Sequence, residues 1–150
     1  MIKTACFVIL LVLFFLTGCA DQYSIEKQYW QVKKQRDAIV SNPDVSPQNQ
    51  LDRTVANINK FIERNPQNKL AVDAELDIAT VYMAKKEYDK AREQLKKMMS
   101  KYSKFEVITS EALYLTGNTY QVEGKWDSAL AQYKKVIQNY PRSLRGLDMP

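Results

Sequence analysis

Apolar and polar positions divide the chain into one continuous apolar run and a longer part with helical spacing. The run extends from Ala5 to Leu16 and follows the basic residue Lys3. Further along, the stretch from Gln50 to Arg64 has apolar residues three and four positions apart, which predicts an amphipathic helix. These apolar residues are Val55, Ile58, Phe61 and Ile62.

Two segments carry similar residues at the same offsets. The shared pattern is a tyrosine, an aromatic residue six positions later, an alanine after three more and a large residue after a further four. The two sets are Tyr82, Tyr88, Ala91 and Leu95, and Tyr120, Trp126, Ala129 and Tyr133. They are 38 residues apart, and self-similarity at such a period is typical of repeat proteins.

This pattern resembles the tetratricopeptide repeat, in which helix A and helix B pack as a pair. The resemblance implies that Ala91 and Ala129 lie where helix B crosses closest to helix A, and that the aromatic residues and Leu95 fill the space beside the crossing. The second copy also has the glycine and the closing proline of the family pattern, and the first copy departs from it at both places. These positions are Gly117 and Pro141 in the second copy, and Ala79 and Ser103 in the first.

A third, weaker copy is expected upstream. Pro66 would close it, and the helix Gln50 to Arg64 would be its helix B, with Thr54 at the position of the small alanine. Its helix A is displaced, because the segment Ser41 to Pro47 breaks the chain where that helix would run. We expect the preceding helix from Ser24 to about Val40.

The tetrapeptide Leu16-Thr17-Gly18-Cys19 resembles the lipobox of bacterial lipoproteins. The apolar run before it suits a signal peptide and is too short to span a bilayer of about 30 Å. The resemblance implies cleavage before Cys19, diacylglycerol on its sulfur and an acyl chain on its freed amine. An uncleaved anchor and an ordinary secretory signal are the alternatives. Ala20, rather than Asp, follows the cysteine, which by analogy with lipoprotein sorting favours the periplasmic face of the outer membrane over the inner membrane.

The predicted fold class is all-α, a tetratricopeptide-repeat solenoid of about three helix pairs behind a lipoprotein signal peptide. The parts are the signal peptide at 1–18, the lipidated cysteine and a short tether at 19–23, the repeat domain at 24–145 and a tail at 146–150. After Pro141 the repeat pattern would continue with another helix A, so the tail is either the start of a truncated repeat or the end of a short protein. The helix Trp126 to Tyr140 would then leave part of its apolar face uncovered, namely Leu130, Val136 and Ile137.

Composition argues against most catalytic chemistry. The chain has no histidine, and of its two cysteines Cys6 leaves with the signal peptide and Cys19 is expected to carry lipid. The usual general base, the Ser-His and Cys-His pairs and nearly all zinc sites are therefore missing. We expect no enzyme, no metal site and no cofactor beyond the covalent lipid. The net charge of +5 is spread over helical segments, so we expect no nucleic-acid partner.

The repeats of this chain, with their longer spacing and the segment Gln138-Asn139-Tyr140-Pro141, are similar to the repeats of bacterial envelope proteins. These include the lipoprotein of the outer-membrane β-barrel assembly machinery and the periplasmic partner of the Tol-Pal system. The resemblance implies a membrane-anchored scaffold that binds envelope proteins, among them the barrel-assembly subunit. The alternative is an adaptor lipoprotein of another system, such as pilus secretin assembly or Tol-Pal. A glycan-active enzyme with a carboxylate pair and a small-molecule carrier remain open from other classes.

Tetratricopeptide arrays bind segments of other proteins on the concave side, which helix A lines. Counting from the two tyrosines of the repeat, we expect eight groove positions. They are Asp73, Leu76, Thr80 and Met83 in one repeat, and Glu111, Tyr114, Asn118 and Gln121 in the next. Their mixture of apolar, amide and carboxylate groups suits a peptide, and plain solvent exposure is the alternative.

Tyr29, Trp30 and Val32 in the first helix form a further candidate surface. Tyr29 and Trp30 lie on different sides of this helix. Packing against the helix Gln50 to Arg64 is one role for these aromatic residues. A membrane-surface contact for Trp30 is the alternative, because the tether that follows Cys19 is short.

Overall fold

The computed structural model describes the backbone of residues 2–143 and the side chains from Gln22 to Ser143. In this part the chain forms six α-helices and no strand. They are α1 (Ile2–Ser41), α2 (Gln48–Arg64), α3 (Lys69–Ala84), α4 (Tyr88–Lys101), α5 (Glu106–Val122) and α6 (Trp126–Asn139). The all-α prediction of about three helix pairs is therefore confirmed. No described helix has the length and hydropathy needed to cross a membrane.

Three predictions concern residues that lie wholly or partly outside the described side chains. These are the signal peptide at 1–18, the lipid on Cys19 with its tether at 19–23, and the tail at 146–150. The backbone of α1 continues through the predicted tether, so the first helix does not begin at Ser24 as the sequence pattern suggested. The domain boundaries themselves stay predictions.

Each pair of neighbouring helices shares an interface, and α1 also packs against α3. Small residues allow the close crossings: Ala91 and Ala129 are buried, as the repeat pattern predicts. One core cluster joins α1, α2 and α3 and consists of Val32, Ile58, Phe61, Ala74 and Ile78. A second joins α3, α4 and α5 and consists of Ala79, Leu95, Met98 and Ala112.

The segment that breaks the chain between α1 and α2 is held against the end of α3. Lys85 Nζ donates hydrogen bonds to the carbonyls of Pro43, at 2.6 Å, and Ser46, at 2.8 Å. Charge-assisted hydrogen bonds of this kind are stronger than neutral ones, so the loop is tied to the repeat that follows it. Asn68 begins α3, because its side chain accepts a hydrogen bond from the backbone N–H of Leu70.

Two details of the packing differ from the predictions. Trp126 is 66% exposed and does not fill the crossing, because no further helix stacks on this end of the described chain. Val136 is fully buried, although it was expected to be uncovered, since it lies two turns from the buried Ala129 on the side that faces α5. Leu130 and Ile137 are exposed, as expected.

Candidate protein-binding groove

The eight predicted groove residues form two matching stripes on the A helices α3 and α5. Within each helix they follow the spacing three, four, three, which keeps them on one face. On α3 that face lies opposite the buried Ile78, and on α5 it lies opposite the buried Thr116. The pairs of equivalent residues are 38 positions apart, as in the rest of the repeat. We call these two stripes the groove surface.

On α3 the groove surface is partly fixed by the core. Asp73 is exposed and Met83 is half-buried. Leu76 packs against the α3–α4–α5 cluster, and the hydroxyl of Thr80 donates a 3.0 Å hydrogen bond to the carbonyl of Leu76 within the same helix. Asp73 and Met83 are therefore the residues of this stripe with most freedom to meet a partner.

On α5 the groove surface is tied to α6 by aromatic contacts. The rings of Tyr114 and Tyr133 have centroids 5.6 Å apart, and the Tyr133 hydroxyl donates a 2.6 Å hydrogen bond to Oε1 of Gln121. Burial raises the pKa of Tyr133 above that of an ordinary tyrosine, which is itself protonated at neutral pH, so the hydroxyl is a donor there. Gly117 lies under the Tyr133 ring and leaves room for it. Tyr114 and Gln121 thus belong to a fixed wall.

The remaining two residues of the α5 stripe, Glu111 and Asn118, are half-buried. They add a carboxylate and an amide to the same face as Tyr114. A wall with an aromatic ring, an amide and a carboxylate can hold an apolar side chain and hydrogen-bond a peptide backbone beside it.

A polar junction between α1 and α3 was missed by the sequence analysis. The Tyr29 hydroxyl donates a 3.0 Å hydrogen bond to Oδ2 of Asp77, and Arg36 Nε lies 3.3 Å from Oδ1 of the same carboxylate. Burial raises the pKa of Asp77, and the Arg36 guanidinium and the Tyr29 hydroxyl oppose that shift. Tyr29 also packs against Phe61 of α2, at 5.5 Å between ring centroids, so its predicted packing against that helix is confirmed.

A second buried carboxylate, also missed, joins α3 to α4. Glu75 is 6% exposed and accepts hydrogen bonds from Lys101 Nζ, at 2.5 Å, and from the Tyr102 hydroxyl, at 3.0 Å. The sequence pattern does not predict either contact, because helical periodicity places Asp77 and Glu75 on a helix but does not identify their partners. Tyr29 is 48 residues from Asp77, and Lys101 is 26 residues from Glu75. Both carboxylates position helices and have partners for their charge.

A crevice between α2 and α4 offers a different kind of surface. Its volume is about 450 Å³, and its lining includes Lys90, Glu93, Gln94 and Lys97. A carrier of small apolar molecules needs a mostly apolar enclosure, whereas five of the eight residues that line this crevice are charged or amide, the others being Val55, Ile78 and Tyr82. Among the described residues no group of three or more acidic, cysteine or histidine side chains could hold a metal ion.

Comparison with known proteins gives one family and no individual relative. The model of the family described as "Tetratricopeptide repeat-like domain" matches residues 10–147. No curated protein and no solved structure matches the chain. All-helical domains of this family typically act as scaffolds for protein interactions. The match spans most of the chain and agrees with the observed helix pairs, so this protein belongs to the tetratricopeptide repeat-like domain family.

Proposed function

We propose that this protein is a membrane-anchored scaffold of the bacterial envelope that binds segments of other envelope proteins in its groove surface. In this proposal lipid on Cys19 holds the chain on the periplasmic face of the outer membrane. The preferred partner is the outer-membrane subunit that assembles β-barrel proteins. An adaptor role in pilus secretin assembly or in Tol-Pal is the alternative, and no catalytic step is assigned to the chain.

The observation that carries the binding role is the repetition of one surface on two successive A helices. Asp73 and Glu111 are equivalent, so one extended segment would meet an acidic group at the same position of each A helix. Met83 and Gln121 are likewise equivalent and lie at the other end of the two stripes. The Tyr114–Tyr133 wall gives that segment a rigid apolar contact. Rigid aromatic anchors contribute strongly to protein interfaces because they bury much area at a small cost in side-chain entropy.

The proposed location at the membrane is supported by the sequence alone. A basic residue, an apolar run of about a dozen residues and small residues before Cys19 occur in the order of a lipoprotein signal. Two or three acyl chains would hold the protein on its membrane, since a single chain binds only marginally.

The first test is a pull-down from detergent-solubilised membranes with the full chain as bait and Cys19→Ala as control. We expect the large barrel-assembly subunit in the eluate, identified by mass spectrometry, and less of it with the control. Recovery of a secretin or of Tol-Pal components would support the adaptor alternative. An eluate with no envelope protein at all would contradict the scaffold proposal.

A second pair of variants tests the groove surface itself. Asp73→Lys with Asn118→Lys makes the net charge of the groove more positive by three units, two from Asp73→Lys and one from Asn118→Lys. The matched control, Asp127→Lys with Gln138→Lys, adds the same charge at exposed positions of α6. We expect capture that is weaker by roughly tenfold or more with the groove variant and little change with the control, because a segment that binds beside Asp73 would then meet a like charge, and a cost of about 1.4 kcal/mol is tenfold in affinity. Equal capture by both variants would show that the partner binds elsewhere.

A further inference from the structure

Helix α1 packs against α2 and α3 with one side and exposes large side chains on the other. The side that packs against α2 and α3 carries Ile25, Tyr29, Val32 and Ile39. At 100° per residue, the opposite side of the same helix carries Tyr23, Lys27, Trp30 and Lys34. We call these four residues the outer face of α1.

The outer face combines large exposed aromatic rings with lysines. Tyr23 is 69% exposed and Trp30 is 56% exposed, and the Nζ of Lys34 lies 5.4 Å from the centre of the Trp30 ring. The order aromatic, lysine, aromatic, lysine along one face is therefore solvated in the described structure. Tyrosine and tryptophan are enriched at the boundary between hydrocarbon and water, and lysines near a membrane surface are attracted to anionic lipids.

Acidic groups near this face do not cancel its charge. From Gln22 to Val40 the chain has four basic and two acidic residues. Asp37 Oδ1 is paired with the Arg36 guanidinium at 3.1 Å, and Glu26, which accepts a hydrogen bond from the neutral Gln22 amide, keeps its charge, so this stretch has a net charge of +2. The two outer-face lysines thus keep a net positive charge toward solvent.

The position of the outer face along the chain favours a lipid surface as its occupant. Cys19 precedes Tyr23 by four residues and Trp30 by eleven. At the rise of an α-helix these separations are about 6 Å and 16 Å. The polar layer on each side of a bilayer is about 5–8 Å thick, so an upright α1 would lift Trp30 out of it. Only a helix that lies close to the membrane plane would keep Trp30 in that layer.

We infer that α1 lies along an anionic membrane surface, with Tyr23 and Trp30 at the headgroup boundary and Lys27 and Lys34 against lipid phosphates. This inference rests on the membrane anchoring of the proposed function and adds an orientation to it. It leaves the groove surface, on α3 and α5, for protein partners.

The test uses the full chain reconstituted in vesicles that contain phosphatidylglycerol and lipids with bromine at a shallow acyl position. The chain has two tryptophans, so Trp126→Phe makes Trp30 the sole reporter and Trp30→Phe makes Trp126 the matched control. Both rings are more than half exposed, so either change leaves the core intact, which circular dichroism verifies. We expect blue-shifted emission from Trp30 that brominated lipid lowers roughly twofold, and no such loss for Trp126.

Flotation of the same vesicles separates the possible failures. A chain that floats with the vesicles while Trp30 is quenched no more than Trp126 overturns the inference and leaves the anchoring intact. A chain that does not float overturns both. Lys27→Gln with Lys34→Gln should reduce the quenching of Trp30 in vesicles with phosphatidylglycerol. An unchanged signal would overturn the assignment of the lysines to lipid phosphates.

Discussion

Gly117 and Tyr133 form a size-matched pair at the crossing of α5 and α6. A Cβ atom added at Gly117 would lie 2.7 Å from Cδ1 of Tyr133 and would overlap its Cε1 atom. In the preceding repeat the equivalent residues are Ala79 and Leu95, both fully buried. A larger residue on helix B thus meets a smaller one on helix A, and the sum of the two sizes is roughly kept.

Gly117→Ala should therefore lower the free energy of unfolding by about 1 kcal/mol, because overpacking of about 1–3 kcal/mol exceeds the helix propensity gain of about 1 kcal/mol. In a Tyr133→Leu background, which copies the Ala79 and Leu95 pair, the same change should be neutral or stabilising. Urea denaturation of the four proteins measures this coupling. An equal cost of Gly117→Ala in both backgrounds would contradict the size argument.

The turns between helices A and B give a second comparison within the chain. Lys86 has φ of 61° and the equivalent Gly124, 38 residues later, has φ of 82°. This left-handed conformation is unfavourable for residues with a Cβ and easy for glycine. Lys86 Nζ lies 3.9 Å from Oδ1 of Asp44, but both side chains are largely exposed, so this ion pair contributes little to the stability of the fold.

Lys86→Gly should raise the free energy of unfolding by about 0.5–1 kcal/mol, and Gly124→Ala should lower it by a similar amount. Nothing lies within 4 Å of a Cβ built on Gly124, so its effect reports backbone conformation alone. Lys86→Ala is the control for loss of the charge, and denaturant melts should show no comparable gain. A gain equal to that of Lys86→Gly would point to the lysine side chain instead.

At the scale of elements, the junction of α1 and α3 depends on one tyrosine. Burial and the negative charge of Asp77 raise the pKa of Tyr29. A raised tyrosine pKa contributes stability that is present below the unfolded value of about 10 and is lost as pH rises above it. Burial also raises the pKa values of Tyr102 and Tyr133, so they share this behaviour. The fold should become less stable above about pH 10.

Tyr29→Phe should cost about 1–2 kcal/mol at pH 7, because Asp77 loses a hydrogen bond while the ring keeps its contact with Phe61. The same variant should lose stability less steeply between pH 10 and higher pH, although Tyr102 and Tyr133 keep part of the slope. Thermal or denaturant melts across this range measure both effects.

Tyr88→Phe serves as the control, since Tyr88 is a half-buried tyrosine at the start of α4, outside the junction of α1 and α3. Parallel alkaline slopes for the wild-type protein and Tyr29→Phe would show that Tyr29 titrates as an ordinary exposed tyrosine.

The elements themselves could be predicted from sequence because their signals are local. Ala91 and Leu95 are buried as the repeat pattern requires, and Pro47 and Pro66 flank α2 where helix boundaries were expected. The junction at Asp77 could not be predicted, because it depends on how α1 settles against α3 once both exist. Trp126 was placed wrongly because its repeat position is covered only when another helix follows.

At the scale of the whole molecule, the described helices differ in how many neighbouring helices they pack against. Helix α3 shares interfaces with α1, α2 and α4, whereas the main interface of α6 is with α5 alone. Leu130 and Ile137 of α6 remain exposed. Opening α6 therefore exposes less apolar area than opening α3, and its backbone should open first.

Hydrogen exchange should show this order, with α6 amides protected roughly 10- to 100-fold less than those of α3. Mass spectrometry of peptides from Trp126–Asn139 and Lys69–Ala84 measures the difference. Protection of α6 equal to that of α3 would mean that the described helices open only as one cooperative unit, or that another surface covers α6.

The sequence spacing predicts that each stripe of the groove surface shares one helix face, whereas the contacts that hold the α5 stripe could not be predicted. Repetition at 38 residues placed Tyr114 and Gln121 on one face from sequence alone. Their attachment to Tyr133 of the neighbouring helix is a tertiary contact between residues that the repeat pattern assigns to different helices. A repeat pattern therefore predicts which residues share a helix face, whereas the contacts that make this face rigid are visible only in the structure.

The order of helix contacts also has a consequence for how the chain acquires its fold. Among the described helices every main interface joins elements that are adjacent or next but one along the chain, so each helix packs against neighbours that precede it closely in sequence. Topologies with such local contacts fold quickly, and each new helix finds its partner among those just made. The chain can therefore fold from its amino end while the rest is still being synthesised.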